Sequence, residues 1–298
     1  MGSPWSKKRL ETFVVLSIFM AIVVTSLRSF IISNYKTGAL LIFVSSLAKM
    51  LVSYSNIQAL DFKIRHVFLV ASLSFIGTCL GTFSYYHKAS CTSYATSSSI
   101  QYIFIALVSF AWSGTRYSFA QYFGLLIIMI GVFIEVSSVD SIYDIPMHTL
   151  TAMVSGVFNA ASFVAFDLKV KPALENIKSF WSYMMAYTFY LATFSSLHLI
   201  EEIFSNAHSY VEALKSPMAY LAVLSEIIMA YVMSSVSLYL DSVERSTLVN
   251  VCTGASAIAS DILLSYEIDA QKFLGVSLAM IGAQMFNFFW REENTVSV

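Results

Sequence analysis

Ten windows of about twenty apolar residues, separated by short polar stretches, restrict this chain more than any other feature. A segment that apolar belongs in hydrocarbon, where its backbone N–H and C=O groups find no water and must bond to one another. The α-helix meets that demand within one segment. The windows fall at about 10–32, 38–59, 67–87, 92–112, 119–138, 147–167, 179–200, 218–240, 247–266 and 272–290. Composition agrees: 57% of the 298 residues are hydrophobic and 12% are charged, about half the charged share of a soluble domain. The expected fold class is all-α and polytopic, a single ten-helix transmembrane domain embedded in the lipid bilayer.

Basic residues set the orientation. With the N-terminus cytosolic, that side holds Lys7, Lys8, Arg9, Lys63, Arg65, Arg116, Lys169, Lys171, Lys178, Arg245 and Arg291, against Lys36, Lys88, Lys215 and Lys272 opposite. Eleven against four places both tails in the cytosol. The longest loop, from about Glu201 to Pro217, is then expected on the far side. A net charge of −1 argues against a nucleic-acid partner. Cys79, Cys91 and Cys252 are scattered, and the five histidines have no metal-ligand spacing, so neither a disulfide framework, a metal nor a cofactor is indicated. No HExxH, GxSxG or paired catalytic aspartate occurs, which argues against an intramembrane enzyme.

The chain also repeats. Ala120-Gln121, Gly124 and Met129-Ile130-Gly131 in the fifth span return as Ala270-Gln271, Gly275 and Met280-Ile281-Gly282 in the tenth. Halves of about 10–138 and 147–290 each hold five spans, an odd number, so they must insert with opposite topology. The glycines are expected to let helices approach closely.

Chemistry must lie inside the helices, because the loops are short. Lys49 stands near the middle of the second span, where an ammonium needs an anion, a carboxylate or a wet cavity. Arg28, near one end of the first span, could serve the same cavity or snorkel to the surface. Arg245 opens the ninth span behind Asp241 and Glu244. Glu226 and Asp261 are deep enough for proton coupling, with helix pairing as the plain alternative. The fourth span carries the hydroxyl-rich run from Thr92 to Gln101, including Tyr94, Ser97 and Ser98. Its polar face should turn toward other helices or a cavity. Lys49 is expected to face it, with Arg245 at the cytosolic mouth.

Several of these pieces, in this order, carry a resemblance. They are Leu27-Arg28, Lys49, Tyr94 with its polar run, Gln121-x-x-Gly124-x6-Gly131, Ser155-Gly156, Trp181, Tyr239-x-Asp241-x3-Arg245 and Gly275-x6-Gly282. The chain resembles the nucleotide-sugar transporters of the drug/metabolite transporter superfamily, most closely the CMP-sialate/UDP-galactose/UDP-N-acetylglucosamine group. The resemblance implies an inverted-repeat, ten-helix antiporter of the Golgi or endoplasmic reticulum membrane, exchanging a cytosolic nucleotide sugar for a nucleoside monophosphate. It matches Lys49 and Arg245 to basic residues near the phosphates, Tyr94 to a nucleotide-contacting tyrosine and Ser155 to a cavity-lining serine. Gln101, Ser97 and Ser98 suit ribose and sugar, and Arg28 and Tyr187 complete the expected set. Gln101 stands where the group has a lysine, Cys79-Leu80 where it has paired asparagines, and Ser46 where it has a glutamate; Arg245 replaces a lysine and lacks the glycine that follows it. These departures leave the cargo open to another organic anion, such as a sugar phosphate or free nucleotide. A non-transporting scaffold is the alternative from another class, and the oligomeric state is open, a homodimer included.

Overall fold

The computed structural model describes residues 7–35, 37–57, 64–87, 89–114, 116–137, 146–174, 177–237, 240, 242–263 and 270–296. Among them the chain is helical and holds no strand. The helices are α1 (Lys7–Tyr35), α2 (Gly38–Asn56), α3 (Ile64–Tyr86), α4 (Cys91–Ser98), α5 (Gln101–Ser113), α6 (Phe119–Ser137), α7 (Met147–Ala165), α8 (Ile177–Lys215), α9 (Pro217–Ser237), α10 (Ser242–Leu263) and α11 (Ala270–Val296). Seven spans among the described residues are long and apolar enough to cross a membrane, and α9 adds a shorter apolar stretch, Pro217–Met233. Large side chains such as Phe123, Leu126, Ile130 and Phe133 stand exposed along α6. This is the make-up of a multi-pass membrane protein.

Two elements depart from the sequence expectation. The fourth span is broken into α4 and α5. At the break Ser99 N–H bonds to Thr96 O and Ile100 N–H to Ser97 O, while the Ser99 hydroxyl donates to Ala95 O at 2.8 Å. Three-residue bonds and hydroxyl back-bonding tighten the turn and interrupt the α-helical ladder. The expected loop after Glu201 is likewise helix, because α8 continues unbroken to Lys215. No glycine or proline interrupts it before Pro217.

Carboxylates from distant helices hold the amino ends of α2 and α4. Glu202 Oε2 accepts Ala39 N–H at 3.0 Å, and Tyr86, which donates to Glu202, accepts Gly38 N–H at 2.8 Å. Asp261 accepts Cys91 N–H at 2.9 Å, Thr92 N–H at 3.0 Å and the Thr92 hydroxyl at 2.7 Å. Amino-terminal N–H groups lack partners within their own helix, and the helix dipole favours an anion there. Glu202, expected in a loop, is thus a buried cap. Asp261, weighed above for proton coupling, is bound to the start of α4.

Packing follows from the small residues. α1 lies against α9 and α10, α2 against α8 and α9, α3 against α7 and α8, α4 and α5 against α7, α4 against α10, and α6 against α11. At the last contact, a methyl group at Gly131 would sit 2.7 Å from Gly275 O, and one at Gly282 would sit 2.6 Å from Gly124 O. The glycines do bring the backbones together as expected. Gly124 meets Gly282 and Gly131 meets Gly275, so the two helices run antiparallel. Tyr102, Ile105, Ile128, Val164 and Phe286 close the core beside this seam.

Candidate functional site

Each helix around the centre of the molecule presents one stripe to a shared cavity of about 400 Å³. α1 contributes Ala21, Val24, Thr25 and Arg28; α2 contributes Ile42, Ser45, Ser46 and Lys49; α9 contributes Glu226, Met229, Ala230 and Met233. All three stripes have the i, i+3, i+4, i+7 spacing that puts side chains on one helix face. Aromatic walls come from Phe75 on α3, Phe163 and Phe166 at the end of α7, and Phe180, Tyr183 and Tyr187 on α8. At Phe166 the α7 ladder loosens into a π-turn that runs to Val170, a feature often found at functional sites.

Lys49 and Arg28 both face this space, and so does one acid, Glu226. Arg28 Nε lies 3.7 Å from Glu226 Oε1, with the arginine side chain 27% exposed. Lys49 lies within electrostatic reach of both Glu226 and Arg28. Two cations therefore face one carboxylate among the described lining residues. Burying such charges is costly unless a partner or ligand compensates them. Tyr231 fixes the lysine from behind: its hydroxyl donates to Lys49 O at 2.6 Å, tying α9 to α2. The Tyr187 hydroxyl lies 2.8 Å from Ser74 Oγ, and its ring stacks on Tyr183 with centroids 5.6 Å apart.

A second, more polar cavity of about 220 Å³ adjoins the first. Arg28, Thr25, Thr78, Val24 and Thr253 line both. Its remaining wall includes Thr82, Tyr85, Tyr94 and Asn159. Tyr94 lies over the bare backbone of α3, where a methyl at Gly81 would come within 2.8 Å of its hydroxyl oxygen. That hydroxyl is 3.4 Å from Ser155 Oγ, and Ser155 in turn donates to Gly77 O at 2.7 Å.

The expected site residues thus divide. Lys49, Arg28 and Tyr187 meet in the large cavity, and Arg28 meets Tyr94 in the small one. Ser155 is buried beneath Tyr94, bonded to backbone, and outside both linings. Ser97, Ser98 and Gln101 are buried too, but away from either cavity. Ser98 O is pressed against α7 at Gly156, where a methyl group would lie 2.5 Å away. The later part of the polar run therefore serves helix packing while Tyr94 lines the smaller cavity, and Lys49 faces α1 and α9 instead of α4. Arg245 belongs to the first turn of α10, and its side chain lies outside the described residues. Glu226, Thr25 and Phe166, outside the set expected from the sequence, also line the cavity. The residues three before Arg28 and Lys49 are Thr25 and Ser46, and those four before are Val24 and Ser45, all on the cavity faces of α1 and α2.

No protein-family model and no curated protein matches the chain. Among solved structures, 26 chains match. One of them, a crystal structure, aligns with 94% of this chain and 98% of its own, at a TM-score of 0.58 and 14% identity. That likeness is one of fold alone.

Proposed function

We propose that this protein is a nucleotide-sugar antiporter of the Golgi or endoplasmic reticulum membrane, exchanging a cytosolic nucleotide sugar for the matching nucleoside monophosphate. The observation that carries the proposal is the meeting of Lys49 and Arg28 in one cavity walled by aromatic rings and hydroxyls. A diphosphate needs cations at membrane depth, a base needs flat apolar faces with polar edges, and sugar hydroxyls need partners such as Thr25, Thr78 and Asn159 in the adjoining cavity. A scaffold gains nothing from two cations in its interior.

The pattern of helix contacts supports ten spans in two inverted repeats. Let α1, α2, α3, the α4–α5 pair and α6 exchange with α7, α8, α9, α10 and α11 in that order. The contact of α1 with α9 then becomes that of α7 with α3, and α1 with α10 becomes α7 with α4 and α5. The α2–α9 contact becomes α8–α3, while α2–α8, α4–α10 and α6–α11 map onto themselves. The glycine seam obeys the same exchange, because Gly124 corresponds to Gly275 and Gly131 to Gly282. Two antiparallel helices related this way need a two-fold axis perpendicular to them, which lies in the membrane plane. Lys49 and Arg28 come from one half and Glu226 from the other, so the cavity lies between the halves, where alternating access requires a site.

Ligand-dependent melting of the detergent-purified protein tests the cargo. One nucleotide sugar and its monophosphate should raise the melting temperature, a ligand at one hundred times its dissociation constant adding about 2.7 kcal/mol. The uncharged nucleoside should not. Stabilisation by sugar phosphates, with none by any nucleotide, would move the proposal to another organic anion.

A further inference from the structure

Glu226 is the cavity residue whose chemistry runs against an anionic cargo. It faces the same space as Arg28 and Lys49 and carries their sign reversed. Its placement is also unfinished. Arg28 Nε and Glu226 Oε1 are 3.7 Å apart, beyond hydrogen-bond length. Both atoms are buried, and neither has a hydrogen-bond partner among the described residues. A pair built only to hold α1 against α9 would close that gap, because an unsatisfied buried charge is expensive. Each helix is fastened elsewhere: Thr25 and Ser26 hold α1 to Ser256 and Ser260 of α10, and Tyr231 holds α9 to α2.

We infer that the Glu226 carboxylate is a resident counter-anion, holding Arg28 in the empty cavity and yielding it to the phosphate of the cargo. The inference rests on the proposed reading of the cavity as an anion site. A guanidinium offers a planar fork of N–H donors that fits a phosphate in two parallel bonds, and the loose contact with Glu226 leaves this fork open to capture. Lys49 keeps the displaced carboxylate from being stranded, since it lies within electrostatic reach of Glu226 from α2. The other groups facing the pair from the packed elements are uncharged: Thr78, Cys79 and Tyr85 on α3, Tyr94 on α4, Tyr183 and Tyr187 on α8, and Cys252 and Thr253 on α10. The exchange has a purpose in transport. Two uncompensated cations would hold a polyanion so tightly that it would leave slowly, whereas a carrier must bind firmly enough to load and weakly enough to unload. When the phosphate departs, Glu226 takes Arg28 back, and release is favoured by that return.

Glu226→Gln tests this, because it removes the charge and keeps the shape. Binding of inorganic pyrophosphate to purified wild-type and variant protein, measured by calorimetry, should be tighter in the variant by about tenfold or more. Uridine, which carries no phosphate, should be unaffected by the substitution. In vesicles the variant should show a lower KM and a lower maximal exchange rate together, a split that mere loss of packing does not produce. Glu226→Asp, which keeps the charge on a shorter arm, should fall between the two and serves in place of Gln if that protein is not monodisperse. Equal pyrophosphate affinity in wild type and variant, including no measurable binding in either, overturns the inference. A pyrophosphate response without nucleotide-sugar exchange would retain the counter-anion and remove the cargo proposed above.

Discussion

Lys49 is the single residue on which the proposed anion site most depends. Its backbone carbonyl is held by Tyr231, and its ammonium faces a cavity it shares with Arg28 and Glu226. Lys49→Ala should leave a monodisperse protein and weaken substrate binding by about one to two decades, the value of a charge-assisted hydrogen bond of about 1.5–3 kcal/mol. Lys49→Arg should recover part of it, since a planar fork does not replace a compact ammonium. Titration of both variants with the stabilising nucleotide checks this; wild-type affinity in the alanine protein would remove Lys49 from the site. The two cations are legible in the sequence because a charge inside a long apolar window is costly and must be met by a counter-charge or a wet cavity. The polar run of α4 is mixed, with Tyr94 lining the smaller cavity. Ser97 and Ser98 are packed inside the molecule, and sequence alone does not distinguish a hydroxyl that bonds its own helix, as Ser98 does to Ala95 O, from one that faces a ligand.

Among the elements, the paired glycines of α6 and α11 give the sharpest test. A methyl at Gly131 meets a backbone carbonyl at 2.7 Å, whereas one at Gly254 meets the Met280 sulfur at 2.4 Å. Backbone held in a helix cannot move aside, and a methionine side chain can. Gly131→Ala should therefore cost about 1–3 kcal/mol and lower the melting temperature in detergent, with Gly254→Ala costing clearly less. Equal losses would mean that the seam yields and that the α6–α11 contact is not a fixed axis of the fold. The existence and order of the helices are readable from hydropathy. Their interruptions are not, because the break between α4 and α5 depends on Ser99 bonding Ala95 and Asn250, the second of them far away in sequence. The carboxylate caps of α2 and α4 are hidden for the same reason, since Glu202 and Asp261 reach amides more than 150 residues distant.

At the scale of the whole molecule, the proposal is two inverted halves rocking about a fixed central site. The basic residues predict that both tails face the cytosol. Single cysteines placed near each end, in a cysteine-free background and sealed microsomes, should react with an impermeant maleimide without detergent; a lumenal terminus would break the even-span arrangement. Exchange through the Lys49–Arg28 cavity is measured most directly by counterflow in proteoliposomes. Vesicles preloaded with each nucleoside monophosphate in turn should accumulate one radiolabelled nucleotide sugar, vesicles without preload should not, and Lys49→Ala vesicles should lose that uptake at substrate concentrations that suffice for wild type. Uptake indifferent to preloading, or equal uptake in the Lys49→Ala protein, would contradict the account.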